Sequence, residues 1–464
     1  MAPKFGTSGL RGLTTELTVT LVQDYTRAFL EACPHGGALF LGRDLRPSSP
    51  SISAMVAAAA QAQGVPVIDC GALPTPALAL AALNAGNAAI MITGSHIPAD
   101  RNGIKFYVPT GEISKEDEQS IQANLGRSSL GLSAPIISDE TARTHYVARY
   151  TNGFGPDALT GLRIGVYQHS SVARDIMCEV VSALGGEAVP LARSSTFIPV
   201  DTEALDPNTR TLLAGWCAEH DLDAVISTDG DADRPMVADA DGAVVPGDLL
   251  GMLTAQILGA RIICTPVSSN SGVQEMDGFA TVRLTRIGSP YVIAAMEDAL
   301  KSDPDARVVG YEANGGFLLG FSAIGPTGQT LVPLMTRDCL LPMLAPLAAA
   351  RAKGVTLSEL VATLPARFTA GDRLTEVSTQ LSRNFIAELT QSPRARASFF
   401  NGLGAETSLD TTDGLRMSFE EGLVVHFRPS GNAPEFRCYA EAPTSHQARE
   451  LVARSLENVR QRLG

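Results

Sequence analysis

The sequence has no CxxC spacing, no apolar run of membrane length, no apolar core at its start and no surplus of basic charge. Its seven cysteines (Cys33, Cys70, Cys178, Cys217, Cys264, Cys339, Cys438) are scattered and odd in number. That speaks against a disulfide framework or a cysteine zinc site and fits a reducing compartment. The most apolar stretch, residues 340–350, is interrupted by Pro342 and Pro346 and is shorter than the roughly 20 residues a helical span needs. Residues 1–8 lack the apolar centre of a secretory signal, so a cytoplasmic protein is expected. Lysine and arginine total 36 against 49 acids, a net charge of −13, which argues against nucleic acid or an anionic membrane as the main partner. A phosphorylated ligand would have to be met by cations gathered locally.

What is present describes an ordinary globular chain, 45% apolar and 18% charged. Its 464 residues are enough for roughly three or four domains. Apolar periodicity predicts helices over 19–32 and 51–63 and strands over 38–44, 65–69 and 88–92. Strands alternating with helices indicate βαβ units on a parallel sheet, with ligands at the carboxyl ends of the strands. Residues 151–156 read as a linker, after which the rhythm restarts: strand 162–167, helix 171–184, strands 187–190 and 223–227. A third unit opens within 248–259 and contains strands 261–265 and 306–309; a last unit starts around 368–374. The expected domains are 1–150, 151–255, 256–367 and 368–464, with no internal repeat visible in the sequence.

Four loops carry residues suited to chemistry. Thr93-Gly94-Ser95-His96-Ile97-Pro98 follows strand 88–92, with Lys105 shortly beyond; it offers an exposed hydroxyl and groups that can handle protons or a phosphate. The Gly-rich segment 5–12 adds Arg11 and an anion-binding run of backbone amides. Asp229, Asp231 and Asp233 alternate on a loop that ends in Arg234. Three converging carboxylates need an offsetting charge, and Mg²⁺ is the first candidate for an all-oxygen set. An EF-hand is excluded, since Arg234 and Ala240 stand where it needs Gly and Glu. Glu312 and Asn314 lie on a glycine-rich turn suited to sugar hydroxyls, and Arg428 and Arg437 flank Ser430-Gly431-Asn432, a turn suited to a phosphate. Each loop taken alone also reads as an ordinary polar turn.

In this order the four loops resemble those of the α-D-phosphohexomutases, the phosphomannomutase/phosphoglucomutase superfamily, from Phe5 to Arg437. The resemblance implies a heart-shaped protein of three similar mixed α/β domains and a smaller α+β C-terminal domain, each giving one loop to a central cleft. It implies that Ser95 carries the transferred phosphoryl group and that Asp229, Asp231 and Asp233 hold Mg²⁺ with an oxygen on Ser95. Arg11, His96 and Lys105 would assist proton and phosphoryl transfer, with Lys105 a general base if neighbouring cations lower its pKa. Arg234, Glu312, Asn314, Arg428, Ser430, Gly431, Asn432 and Arg437 would bind substrate. The implied partners are a hexose phosphate and a hexose 1,6-bisphosphate activator, for a monomer or a dimer.

Two departures stand out. Gly94 and Ile97 replace residues of the usual Thr-Ala-Ser-His-Asn-Pro, and the sugar loop has Asn314 for Ser and Gly316 where some members keep His. Phosphomannomutase is the leading expectation, with phosphoglucomutase and phosphoglucosamine mutase as alternatives. A non-catalytic sugar-phosphate-binding protein would be expected to have lost Ser95 or an aspartate, and a metal-dependent phosphatase would release free phosphate.

Overall fold

The computed structural model describes residues 3–6, 9–430 and 435–463. In the first sheet the strands lie in the order Lys4–Phe5, Leu10–Leu13, Arg101–Val108, Ala88–Ile92, Leu39–Arg43, Val67–Ala72, Ile136–Ser138. Ala88–Ile92, Leu39–Arg43, Val67–Ala72 and Ile136–Ser138 run parallel, whereas Arg101–Val108 returns antiparallel beside Ala88–Ile92. Every residue of Ala88–Ile92 is buried, as expected of a central strand covered on both faces. The serine turn therefore leaves the middle of the sheet.

Two further five-stranded sheets repeat the arrangement. In one, Glu187–Arg193, Arg163–His169 and Ala224–Thr228 run parallel before Pro235–Ala238 turns back. In the other, Thr281–Thr285, Ile262–Pro266 and Val308–Tyr311 are parallel, and Phe317–Leu319 and Leu334–Asp338 follow antiparallel. In both, the loop with the candidate residues joins the last parallel strand to its antiparallel neighbour. The last sheet, built from 368–442, is antiparallel throughout and packs on its own apolar core with helix Ser445–Leu463.

The helices Thr141–Phe154 and Gly247–Ile257 run unbroken through the expected divisions at 150/151 and 255/256, so 151–154 is not a linker. Gly153 packs closely in its helix, where a Cβ would come 2.6 Å from Leu331 Cδ2; the helix stops at Gly155, whose φ is 81°. Tyr146 and Tyr150 of that helix both donate to the buried carboxylate of Asp338, Tyr146 at 2.5 Å. Glu112 accepts from Ser289 (2.9 Å) and Thr336 (3.0 Å), so the first and third sheets are held together. Among the described residues no helix is long and apolar enough to cross a membrane.

Candidate active site

Three of the loops meet in one buried network. Ser95, Lys105, Asp229, Asp231, Asp233, Arg234, Glu312 and Asn314 are all buried. Ser95 has a φ of 55°, a left-handed conformation that costs a residue with a Cβ about 1 kcal/mol. Its amide donates to Thr93 Oγ1 (2.8 Å). Its hydroxyl donates to Asp229 Oδ2 at 2.5 Å and lies 3.3 Å from His96 Nδ1.

The aspartates converge because Ala232, between the last two, is also left-handed with φ 57°. One carboxylate oxygen from each of Asp229, Asp231 and Asp233 falls within 4.8 Å of the others. Among the described residues Asp231 Oδ1 and Asp233 Oδ1 are buried with no hydrogen-bond partner, a costly state for a charged oxygen. Burial and its two acidic neighbours push Asp229 well above the usual carboxylate range. Crowded carboxylates with unmatched oxygens fit an oxygen-seeking divalent cation.

Lys105 Nζ reaches Asp231 Oδ2 and Asp233 Oδ2, each at 2.6 Å. Burial lowers its pKa, but these two carboxylates outweigh both burial and Arg337, and the net shift is upward. The expected lowering is therefore not met: the aspartates are in direct contact with the ammonium and the cations are not. Arg234 sits over the loop, Nη1 4.0 Å from Glu203 Oε1 and Nε 3.8 Å from Asp233 Oδ1. The charge of Arg234, then burial and Arg11, hold His96 far below its ordinary value. Arg11 is itself brought down to about 10, by burial and then by Arg234 and Arg337.

Sequence reasoning missed Arg337. It lies on Leu334–Asp338, buried, with Nη2 2.8 Å from Asp233 Oδ2 and Nη1 3.2 Å from Glu312 Oε2. It links the aspartate loop to the sugar loop. It also accounts for Gly316, where a Cβ would come within 2.7 Å of the Arg337 Cγ and Cδ. Asn314 Oδ1 accepts from Gly316 N (3.0 Å), and the Asn314 carbonyl accepts from Thr202 (3.3 Å). Thr75 was missed too; its hydroxyl donates to Asp231 Oδ2 at 2.6 Å.

Arg428 and Arg437 stand apart from this network. They are directly opposed on the paired strands Val424–Pro429 and Glu435–Ala442, so their side chains share a face. Arg428 Nε lies 3.1 Å from Asp413 Oδ2, out of line for a hydrogen bond, and Arg437 Nη2 donates to Glu435 Oε2 at 3.1 Å. Asp413 Oδ2 also accepts from Ile287 N (3.0 Å), joining the last sheet to the third. Ser430 is buried; Gly431 and Asn432 lie outside the described residues.

The comparisons cover the whole of this arrangement. Phosphoglucomutase/phosphomannomutase α/β/α domain I matches residues 2–130, domain II 144–242, domain III 246–368 and the C-terminal domain 375–457. The chain is 45% identical to a phosphomannomutase of Sinorhizobium fredii, covering 98% of each. It is 42% identical to one of Salmonella muenchen, covering 99% of this chain and 96% of that one. A crystal structure of a phosphoglucomutase/phosphomannomutase family protein from Burkholderia thailandensis superposes with a TM-score of 0.76 at 22% identity, over 98% of this chain and 96% of the other. With its four domains matched in order and relatives at 42–45% identity over nearly its full length, the chain belongs to the phosphoglucomutase/phosphomannomutase family.

Proposed function

We propose that the protein interconverts mannose 6-phosphate and mannose 1-phosphate through a phosphorylated Ser95 and a mannose 1,6-bisphosphate intermediate. The observation that carries this reading is the placement of the Ser95 hydroxyl: 2.5 Å from Asp229, one of a buried triad of acids with two oxygens unmatched among the described residues. The similarity to phosphomannomutases across the full chain supports mannose as the sugar.

Asp229, Asp231 and Asp233 would hold Mg²⁺, which when bound supplies positive charge to the phosphate oxygens. In the first half-reaction a sugar hydroxyl oxygen bonds to phosphorus as the bond from phosphorus to Ser95 Oγ breaks. Overall, one proton passes from the sugar oxygen to Ser95 Oγ. Lys105 is the proton carrier in this reading, and it becomes a base only when the negative charge of Asp231 and Asp233 is taken up elsewhere. Arg11, Arg234 and Arg337 stabilise the transferring phosphoryl group, for which positioning and charge do most of the work. Glu312 and Asn314 hold the sugar. Arg428 and Arg437, with Ser430, Gly431 and Asn432, hold the phosphate that is not reacting. The bisphosphate then turns round, and the second half-reaction returns a phosphoryl group to Ser95 from the other end of the sugar.

Coupled assays with mannose 1-phosphate, glucose 1-phosphate and glucosamine 1-phosphate in parallel test this. Mannose 1-phosphate should give the highest kcat/KM. A higher value for glucose or glucosamine would reassign the sugar, and release of free phosphate instead of isomer would make the protein a phosphatase.

A further inference from the structure

We infer that Arg46, with Phe197 stacked on it, is the positioning residue that holds the Ser95 loop in its reactive shape and keeps it in register with the aspartate loop; this rests on Ser95 being the phosphoryl carrier.

The Arg46 side chain has no exposed surface, so its guanidinium makes no direct contact with a ligand in the cleft. All five of its N–H donors are nevertheless used. Nη2 donates to the carbonyls of Ser95 (2.8 Å) and Ile97 (2.6 Å), and Nη1 to those of Pro98 (2.7 Å) and Arg101 (3.1 Å). Nε donates to Asp44 Oδ2 (3.1 Å). Asp44 also accepts from the amides of Arg46 (3.0 Å) and Gly94 (3.3 Å) and from the Ser49 hydroxyl (2.5 Å). One buried ion pair thus binds the serine loop from Gly94 to Arg101. Burying such a pair costs several kcal/mol before its contacts repay it, far more than an ordinary turn needs. The loop it holds is not ordinary, since Ser95 is kept at φ 55°.

Two neighbours fit the same role. A Cβ at Gly94 would come 2.7 Å from Arg46 Cζ, so the residue beside the serine must lack a side chain for the guanidinium to lie where it does. The Phe197 ring covers the guanidinium with its centroid 4.0 Å from Cζ. The same ring, together with the Ser95 carbonyl, lies 2.9 Å from where a Cβ of Gly230 would stand. Phe197 therefore lays its face on Arg46 while its edge closes the space beside Gly230, between Asp229 and Asp231. A shift of one loop against the other would have to displace this ring.

Arg46→Lys and Phe197→Leu test the inference. The readouts are kcat and KM, the melting temperature, and the rate at which mannose 1,6-bisphosphate phosphorylates Ser95, followed by quenched-flow intact mass. A lysine cannot span the five acceptors, and a misplacement near 1 Å costs about 100-fold in kcat. KM should stay within about threefold, because no substrate-binding side chain changes. Phe197→Leu, which loses the cation–π face, should lower kcat by about tenfold, and the phosphorylation rate should fall in step in both variants. Unchanged kcat in either folded variant, or a loss carried wholly by KM, overturns the inference. If Arg46→Lys does not fold, Phe197→Leu decides between the same outcomes. Wild-type protein that takes no phosphate from the bisphosphate overturns the mutase reading itself. Wild-type uptake with unaltered variants overturns only the role of Arg46.

Discussion

Ser95 and the aspartates facing it show opposite strains: a hydroxyl held in an uncommon backbone conformation, and carboxylates packed closer than their charges favour. Both are costs a stable core would avoid, and both are removable one residue at a time. Ser95→Ala should fold normally and lose turnover by about 10³-fold or more, with no phosphate on the protein by intact mass; full turnover would remove Ser95 from the mechanism. Asp231→Asn takes away a carboxylate that, against its burial, Lys105 and Thr75 hold below its ordinary pKa, and keeps a group that can still bond Thr75. Its melting temperature should fall modestly, because buried Lys105 keeps only Asp233, whereas the Mg²⁺ concentration for half activity should rise by at least about 10- to 100-fold. An unchanged Mg²⁺ titration would place the metal elsewhere.

At the scale of elements, Leu334–Asp338 does more than its sequence discloses. Successive residues of a strand point to opposite faces, and this one sends Arg337 to Asp233 and Glu312 while Asp338 goes back to Tyr146 and Tyr150. Tyr150→Phe removes one donor from the buried Asp338 carboxylate. It should lower stability by about 1–3 kcal/mol in thermal or denaturant unfolding, with a smaller effect on turnover than Arg337→Ala. A stability equal to wild type would show that the tyrosine contact contributes little.

The same strand explains what could be read from sequence. Ser95, Lys105, Asp229, Asp231, Asp233, Glu312 and Arg428 lie on or beside loops whose glycine and polar residues break an apolar pattern, and that break is visible in one dimension. The strand–helix alternation was legible for the same reason. Arg337 lies on an ordinary-looking strand and Arg46 just after another, and what marks them is a partner 104 and 49 residues away, in Asp233 and Ser95. Thr75 and Phe197 are equally plain until the fold brings them to Asp231 and Arg46. The helix through 151–154 was hidden because Asn152 and Gly153 imitate a linker, and only the close packing of Gly153 on Leu331 makes sense of them.

Across the whole molecule, a chain of net charge −13 gathers Arg11, Lys105, Arg234 and Arg337 around one serine and sets Arg428 and Arg437 on a separate sheet. In the proposed function that separation serves as two phosphate-binding places, as a reaction with a bisphosphate intermediate needs. Arg428→Ala should lower kcat/KM by about 2–4 kcal/mol in both directions alike, because in the proposed reaction the 1-phosphate and 6-phosphate alternate there. Arg428→Lys should recover only part of it, since a point charge does not reproduce the guanidinium fork. A loss in one direction only would contradict the assignment.

The most direct measurement is intact mass with peptide mapping after wild-type and Ser95→Ala proteins are mixed with mannose 1,6-bisphosphate and Mg²⁺. The account predicts one phosphate on wild type, mapped to Ser95, appearing with an equal amount of mannose monophosphate and discharged again by added mannose 1-phosphate. It predicts none on Ser95→Ala. Phosphate on another residue, or turnover of mannose 1-phosphate with Ser95 never phosphorylated, would contradict it.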